Sequence, residues 1–313
     1  MRFIDQDEVR AKLTYELCIP LVRQAMIAFS RGETRQHLRS ILPLTEGRVL
    51  GIMPGALGTQ EHFGAKLISV FHGNFAKGIQ SHQGIVLLFE PENGTPVCIA
   101  HAGEITAIRT AAASAVATDV LARPEAARMA ILGYGEQAHT HAKAISKVRK
   151  LEAITVWGRD LGKAKAFAKE IEAELGVAVF AAPTVKQAVT GVDIVTAVSG
   201  AREPILQGAW LAPGTHVNLV GSSGPGPTEA DHDLVVRSRF IADSREGVLA
   251  QGAEFLYAKA AGLIDDSHVV GEIGQVLDGT LEGRQSAEQI TVYKSLGHVV
   301  QDLAAAKALY EAG

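Results

Sequence analysis

Arg128-Met-Ala-Ile-Leu-Gly-Tyr-Gly-Glu-Gln-Ala138 is the stretch that decides the fold. Arg128 to Leu132 is a short, mostly apolar run of the kind a buried strand needs. Gly133 and Gly135 then form a turn with room for backbone to approach a pyrophosphate, and Ala138 lets the following helix pack closely on the strand. Phosphate would sit at the N-terminus of that helix, where free amides and the positive end of the dipole point.

A glycine turn between strand and helix is common, so its meaning depends on the elements downstream. Residues 153–157 read as a second strand, 160–175 as a helix, 177–181 as a third strand and 193–198 as a fourth. Strand and helix alternate as a doubly wound parallel sheet requires. The end of the second strand, Val156-Trp157-Gly158-Arg159, selects the nucleotide. An NAD site places an acid there, about 20 residues past the glycines, for the ribose hydroxyl; a 2′-phosphate calls for arginine. Here no carboxylate stands at the strand end, and Arg159 with Lys163 a turn later would pair a phosphate. This favours NADP(H) over NAD(H). The alternative makes Arg159 a solvated loop residue and Asp160 a helix cap.

With 313 residues the chain has room for two domains and sizeable cores. Its net charge of −4 and lack of any Lys/Arg run give no sign of a nucleic-acid or membrane partner. The N-terminus lacks the apolar core of a signal peptide, and no stretch of about 18 uncharged apolar residues occurs, so a cytoplasmic location is expected. Cys18 and Cys98 form no metal or redox motif and read as packed thiols. No metal site is expected: His139 and His141 lie two apart on one helix and face different ways.

Ahead of the glycine turn, residues 7–31 have a broad apolar helical face that Gly32 ends. Short strands are then expected at 40–44, 49–53, 66–70, 84–89 and 97–100, with a hairpin turn at Glu92-Asn93-Gly94. Three basic residues stand out here. Lys66 shares a strand face with Ile68 and Val70, so its ammonium is drawn into an apolar setting and needs a partner; an edge lysine reaching solvent is the bland alternative. Thr106 is placed to cap a helix over 107–121. That puts Arg109 in the first turn, where the dipole disfavours a cation unless an anion is near. Arg39 precedes an apolar strand and carries little signal unaided.

Past the fourth strand, residues 213–221 give another strand ending in glycine, followed by a Ser/Gly/Pro loop at the edge where open α/β sheets bind ligands. Residues 240–243 read as a further strand and 287–312 as helix. Ser295 and Gly297 interrupt the bulky pattern of that tail, which suits packing near the nicotinamide or back onto the first domain.

Assembled, these residues resemble the ornithine cyclodeaminase/mu-crystallin family over nearly the whole chain. The resemblance rests on Lys66 opening a strand, Ser81-His82-Gln83-Gly84, the run Ile105-Thr-Ala-Ile-Arg109-Thr-Ala-Ala-Ala-Ser114, and the glycine turn followed by Gln137. It rests equally on Val220-Gly221-Ser222-Ser223 with Pro225, and on Tyr293-Lys-Ser-Leu-Gly297 followed by Asp302. It implies an α/β protein with a central Rossmann-type doubly wound parallel sheet and a β-rich substrate and dimerisation domain formed from both chain ends. The expected division is 1–121 for the first part of that domain, 122–285 for the nucleotide domain and 286–313 for a helical segment returning to the first. Homodimers are implied as well.

By position, the family's substrate-carboxylate residues fall on Arg39, Lys66 and Arg109, with Met53 lining the pocket. Its nucleotide contacts fall on Ser81, Arg109, Thr110, Glu136, Gln137, Arg159, Val220, Gly221, Ser222 and Ser223, beside the turn residues Gly133, Gly135 and Ala138, with Ser295 near the nicotinamide. One departure bears on the reaction. Ornithine cyclodeaminases carry an aspartate where this chain has Ser223, and that carboxylate handles the substrate's amino groups. Glu229 or Asp231 would have to reach in from the same loop to replace it. The loop instead looks like that of the family's ketimine reductases, which receive a ring already closed and draw NADPH from solution. The resemblance therefore implies NAD(P)H-dependent reduction of Δ1-pyrroline-2-carboxylate or Δ1-piperideine-2-carboxylate to L-proline or L-pipecolate, with Lys66 supplying or tuning the proton. A cyclodeaminase, an alanine-dehydrogenase-like enzyme and a non-catalytic binding protein are the alternatives.

Overall fold

The computed structural model describes all 313 residues, apart from the side chains of His72, Phe75 and Ala76. The chain forms two compact units, Met1–Thr110 with His298–Gly313, and Ala111–Gly297. These boundaries differ from the expected ones, and the difference has a cause in the tail. Residues 286–297 belong to the second unit because they carry one of its strands.

In the first unit, β1 (Arg2–Ile4), α1 (Gln6–Lys12) and α2 (Tyr15–Ser30) are followed by β2 (Arg35–Gln36), β3 (Ser40–Thr45), β4 (Arg48–Ala56), β5 (Phe63–Phe71), β6 (His82–Phe89) and β7 (Pro96–His101). The strands build one sheet in the order β1-β7-β6-β5-β4-β2, with β3 also paired to β4. Only β1–β7 is parallel; the rest is a meander of antiparallel pairs. The hairpin expected at Glu92 to Gly94 joins β6 to β7, with Gly94 at φ 76°. The helix expected over 7–31 is two helices, because the Thr14 hydroxyl accepts from Leu17 N–H and caps a new start. The C-terminal helix (Val299–Glu311) packs on α2 and on strands of this sheet.

Helix α3 (Ala102–Leu121) starts five residues before the expected position, with the His101 ring nitrogen accepting from Glu104 N–H at its start. Thr106 is thus inside the helix rather than at its cap, and Arg109 lies beyond the first turn, so the dipole argument for an anion there does not hold. Small side chains dominate α3, and residues 102–118 are buried on every side, which is how a helix without an amphipathic pattern is stabilised.

The second unit alternates β8 (Arg128–Leu132), α4 (Glu136–Ser146), β9 (Ala153–Trp157), α5 (Leu161–Leu175), β10 (Ala178–Ala181), α6 (Val185–Val189), β11 (Ile194–Ala197) and β12 (His216–Leu219). Then come α7 (His232–Arg237), β13 (Arg239–Ala242), α8 (Arg245–Gln251), α9 (Ala253–Ala260), β14 (Val269–Glu272), α10 (Ile273–Leu277) and β15 (Thr291–Lys294). All eight strands are parallel, in the order β10-β9-β8-β11-β12-β15-β13-β14. This is the doubly wound sheet the opening stretch implied, with its order reversing between β8 and β11. Alternation places Met129 and Ile131 in the core on one face and Ala130 and Leu132 in the core on the other.

Two of these strands were not legible. The tail expected to be helical from 287 contains β15, four buried residues inserted between β12 and β13. Strand β14 is equally short. Strand neighbours distant in sequence, β12 and β13 for β15 and β13 for β14, decide these two.

Candidate active site

In the first unit, β5 turns Lys66 inward with Ile68, and its side chain is only 3% exposed. The ammonium donates to Thr106 Oγ1 at 2.6 Å and to Asp302 Oδ1 at 3.0 Å, while Thr106 in turn donates to the Ala102 carbonyl. Arg109 Nε donates to the same Asp302 oxygen at 3.0 Å, and its Nη1 to Gln301 Oε1 at 2.8 Å. The partner that Lys66 required therefore belongs to the chain itself. Asp302, in the first turn of the C-terminal helix, also gains from that helix's dipole.

The balance of charge is uneven. Two buried cations share one carboxylate, and the charge of Arg39, which is half-buried, acts on Lys66 as well. Burial is the main cause that lowers the Lys66 ammonium to about 8; Asp302 opposes it and Arg109 adds to it. Burial pushes the Asp302 carboxyl up, but Arg109 and Lys66 outweigh it and hold the group below its usual range. Asp302 Oδ2 is buried with no hydrogen-bond partner among the described residues. Lys66 Nζ has one hydrogen beyond its two bonds there, so the cluster keeps donor capacity and positive charge for an anion.

Met53 is the direct cross-strand partner of Lys66 on β4, so both side chains stand on one sheet face. His298 caps the C-terminal helix with Nδ1 and lies against Phe29, ring centroids 4.2 Å apart. Burial lowers its pKa to about 4, leaving it neutral. Ser81 Oγ is hydrogen-bonded to His82 Nδ1, and Thr110 is buried in α3.

In the second unit, Gly133 has φ 138°, and a Cβ there would stand 2.9 Å from the Val198 carbonyl. Only glycine lets the loop after β8 pass so close to the loop after β11. Gly135 is the N-cap of α4 and offers no side-chain acceptor to the first amides. Ala138 is fully buried, and Gln137 Oε1 is buried without a partner among the described residues. The tight glycine turn and the α4 amides left without a side-chain cap are what a dinucleotide phosphate needs, so these residues fit the cofactor.

At the end of β9, the space at Gly158 is filled: a Cβ would overlap the Tyr134 ring. Asp160 caps α5 by accepting from Lys163 N–H at 3.0 Å, as the alternative reading had it, while Arg159 is exposed.

Beyond β12, Val220 is buried, Ser222 Oγ donates to the Pro227 carbonyl and Ser223 is exposed. Glu229 does not reach toward a ligand: its carboxylate accepts from Ser199 N–H and Oγ and from Gly221 N–H. Asp231 is likewise committed, capping α7 and accepting from Gly208 N–H. Ser295 follows β15, its Oγ buried with no partner among the described residues.

The sequence assigns no role to Asp302 or Gln301, and offers Glu229 only as a replacement for the missing loop aspartate. Asp302 stood only inside a motif, and the one signal for it was the surplus of cations at Lys66 and Arg109. His139, by contrast, pairs with Glu174 at 2.9 Å, and His141 bonds Ser114 and the Gln137 carbonyl, both ordinary helix contacts. Cys18 and Cys98 are buried free thiols.

Known proteins resemble this chain over nearly its whole length. A ketimine reductase mu-crystallin of Rattus norvegicus is 35% identical, covering 99% of this chain and 96% of its own. A Δ1-pyrroline-2-carboxylate reductase of Bacillus cereus is 33% identical with the same coverage. The solved Δ1-pyrroline-2-carboxylate reductase of Thermococcus litoralis, in complex with NADH and L-proline, superposes with a TM-score of 0.96 at 32% identity, covering 99% of this chain and 97% of that one. Residues 2–313 match the family model, and the chain belongs to the ornithine cyclodeaminase/mu-crystallin family.

Proposed function

We propose that this protein reduces cyclic 2-imino acids, Δ1-pyrroline-2-carboxylate to L-proline or Δ1-piperideine-2-carboxylate to L-pipecolate, using NADPH in preference to NADH. The observation that carries this reading is the buried Lys66–Arg109–Asp302 cluster with its excess of positive charge. Arg39, Lys66 and Arg109 hold the substrate carboxylate, and Met53 packs beside the ring. The bound dihydronicotinamide supplies a hydride to the imine carbon. Lys66, an ammonium at neutral pH, delivers a proton to the imine nitrogen directly or through a water, so that C=N becomes CH–NH. Asp302 keeps Lys66 and Arg109 from repelling one another while the clamp awaits its anion.

Two further observations support the reductase over a cyclodeaminase. Ser223 brings no carboxylate, and Glu229 and Asp231 are both engaged in bonds within the chain. The exposed Arg159 supports NADPH, the arginine being free to pair a 2′-phosphate. The relative solved with NADH supports NADH as a second donor. A homodimer formed through the first unit is supported by β3, whose six residues are all exposed although Ile41, Leu42 and Leu44 are apolar.

The deciding experiment follows oxidation of NADPH and NADH with each imine, beside L-ornithine with catalytic NAD and an ammonia readout. Turnover of the imines with NADPH preferred is the expected result. Ammonia from ornithine with the imines inert would overturn the reading.

A further inference from the structure

Along the carboxyl edge of the parallel sheet, the loops after three adjacent strands are tied together by one buried carboxylate and its neighbours. Glu229 Oε1 accepts from Ser199 N–H at 2.6 Å and Ser199 Oγ at 2.7 Å, just past β11. Its Oε2 accepts from Gly221 N–H at 2.7 Å, just past β12. Gly221 has to be glycine for this bond, since a Cβ would stand 2.6 Å from Glu229 Oε1 and 2.3 Å from the Ser199 carbonyl. The Glu229 N–H is held by Glu254 of α9. Lys294, at the end of β15, pairs with Glu254 at 2.7 Å and donates to the Ser222 carbonyl at 2.6 Å. Glu229 and Glu254 are 0% and 1% exposed.

We propose that Glu229 is a positioning residue for the reaction: its carboxylate pins the loop after β11 to the loop after β12, and so sets the shape of the 220–223 segment that meets the dinucleotide. This rests on the nucleotide role proposed for that segment. The Ser199 amide, and the Gly221 amide that also reaches the Ala197 carbonyl of β11 at 3.2 Å, converge on one side chain, and both lie on the sheet edge where such folds bind ligands.

The pin has a built-in pH dependence. Burial, with a contribution from Glu254 and against the hydrogen bonds of Ser199 and the charge of Lys294, raises the Glu229 carboxyl to about 7. Ionised Glu229 offers lone pairs to all three donors. The protonated acid uses one oxygen as a donor and holds the loops less well. Dinucleotide affinity therefore falls as pH drops through about 7.

The test compares wild type, Glu229→Gln and the milder Ser199→Ala by NADPH titration from acid to alkaline pH, and by hydrogen exchange of the loop peptides without nucleotide. Glutamine cannot accept at both ends. Glu229→Gln is expected to weaken NADPH about tenfold at alkaline pH, from the loss of one charge-assisted hydrogen bond to the loops, to flatten the pH dependence, and to speed exchange in the loops that include residues 199 and 221. Ser199→Ala keeps both amide bonds and is expected to shift the midpoint while keeping most of the affinity. Unchanged affinity in Glu229→Gln, or the wild-type pH profile retained, would overturn the proposal. If wild type binds no NADPH but its loops still loosen with Glu229→Gln, the fault lies in the nucleotide reading and not in the pin. Unchanged exchange refutes the pin directly.

Discussion

Lys66 and Asp302 show how one residue's chemistry depends on another's. Replacing Lys66 with Met would remove the proposed proton source and one arm of the proposed clamp while leaving the nucleotide turn untouched. Turnover should fall by about 10²–10⁴-fold, with NADPH affinity nearly unchanged; equal losses in steady-state rate and in NADPH titration would count against the assignment. The wild-type kcat/KM should decline as pH rises through about 8, where Lys66 loses its proton. Stability moves the other way. Because the folded pKa lies below the ordinary 10.5, the cost of burying the ammonium is fully present below about 8 and fades as pH rises toward 10.5. Asp302 has the opposite linkage: its depressed carboxyl contributes stability that is present above its ordinary range and lost as acid protonates it. Asp302→Asn leaves Lys66 and Arg109 without their shared anion, and urea unfolding should register a loss of about 3–5 kcal/mol.

At the scale of elements, the β8–α4 turn and the start of α3 teach different lessons. The turn works through backbone: Gly133→Ala puts a Cβ against the Val198 carbonyl and a side chain at a φ that L-residues avoid. NADPH affinity should drop about tenfold or more, from about 1–3 kcal/mol of strain, as read by fluorescence titration, while far-ultraviolet circular dichroism stays that of the wild type. That turn was legible because glycine at fixed spacing is itself the chemical requirement. The start of helix α3 was not, since Thr106 is a good cap by residue type and His101 a rare one. The choice between them is made by Lys66, which takes the Thr106 hydroxyl from across the unit.

For the whole molecule, β3 is the exposed apolar element that a second copy would cover. Ile41→Glu with Leu42→Glu should convert a dimer to a monomer in light scattering without lowering the yield of folded protein, because neither side chain packs in the core of its own unit. A monomeric wild type would remove the premise. The boundaries of the two units are also set at this scale. Strand β15 draws residues 291–294 into the parallel sheet, and at His298 the chain enters the other unit.

The sequence alone determined the parallel sheet, the glycine turn and the isolation of Lys66, because each follows from properties that act locally: alternation along a strand, allowed backbone angles, and the cost of an apolar setting for an ammonium. Tertiary structure alone decided what satisfies that ammonium. Asp302 lies 236 residues from Lys66 and 193 from Arg109, and no local rule links them. The same holds for Glu229, which in sequence is a candidate to replace the missing loop aspartate and in the fold accepts from amides just past the ends of two strands. Buried charge must be matched by whatever the packing brings near it, and packing is a property of the whole chain.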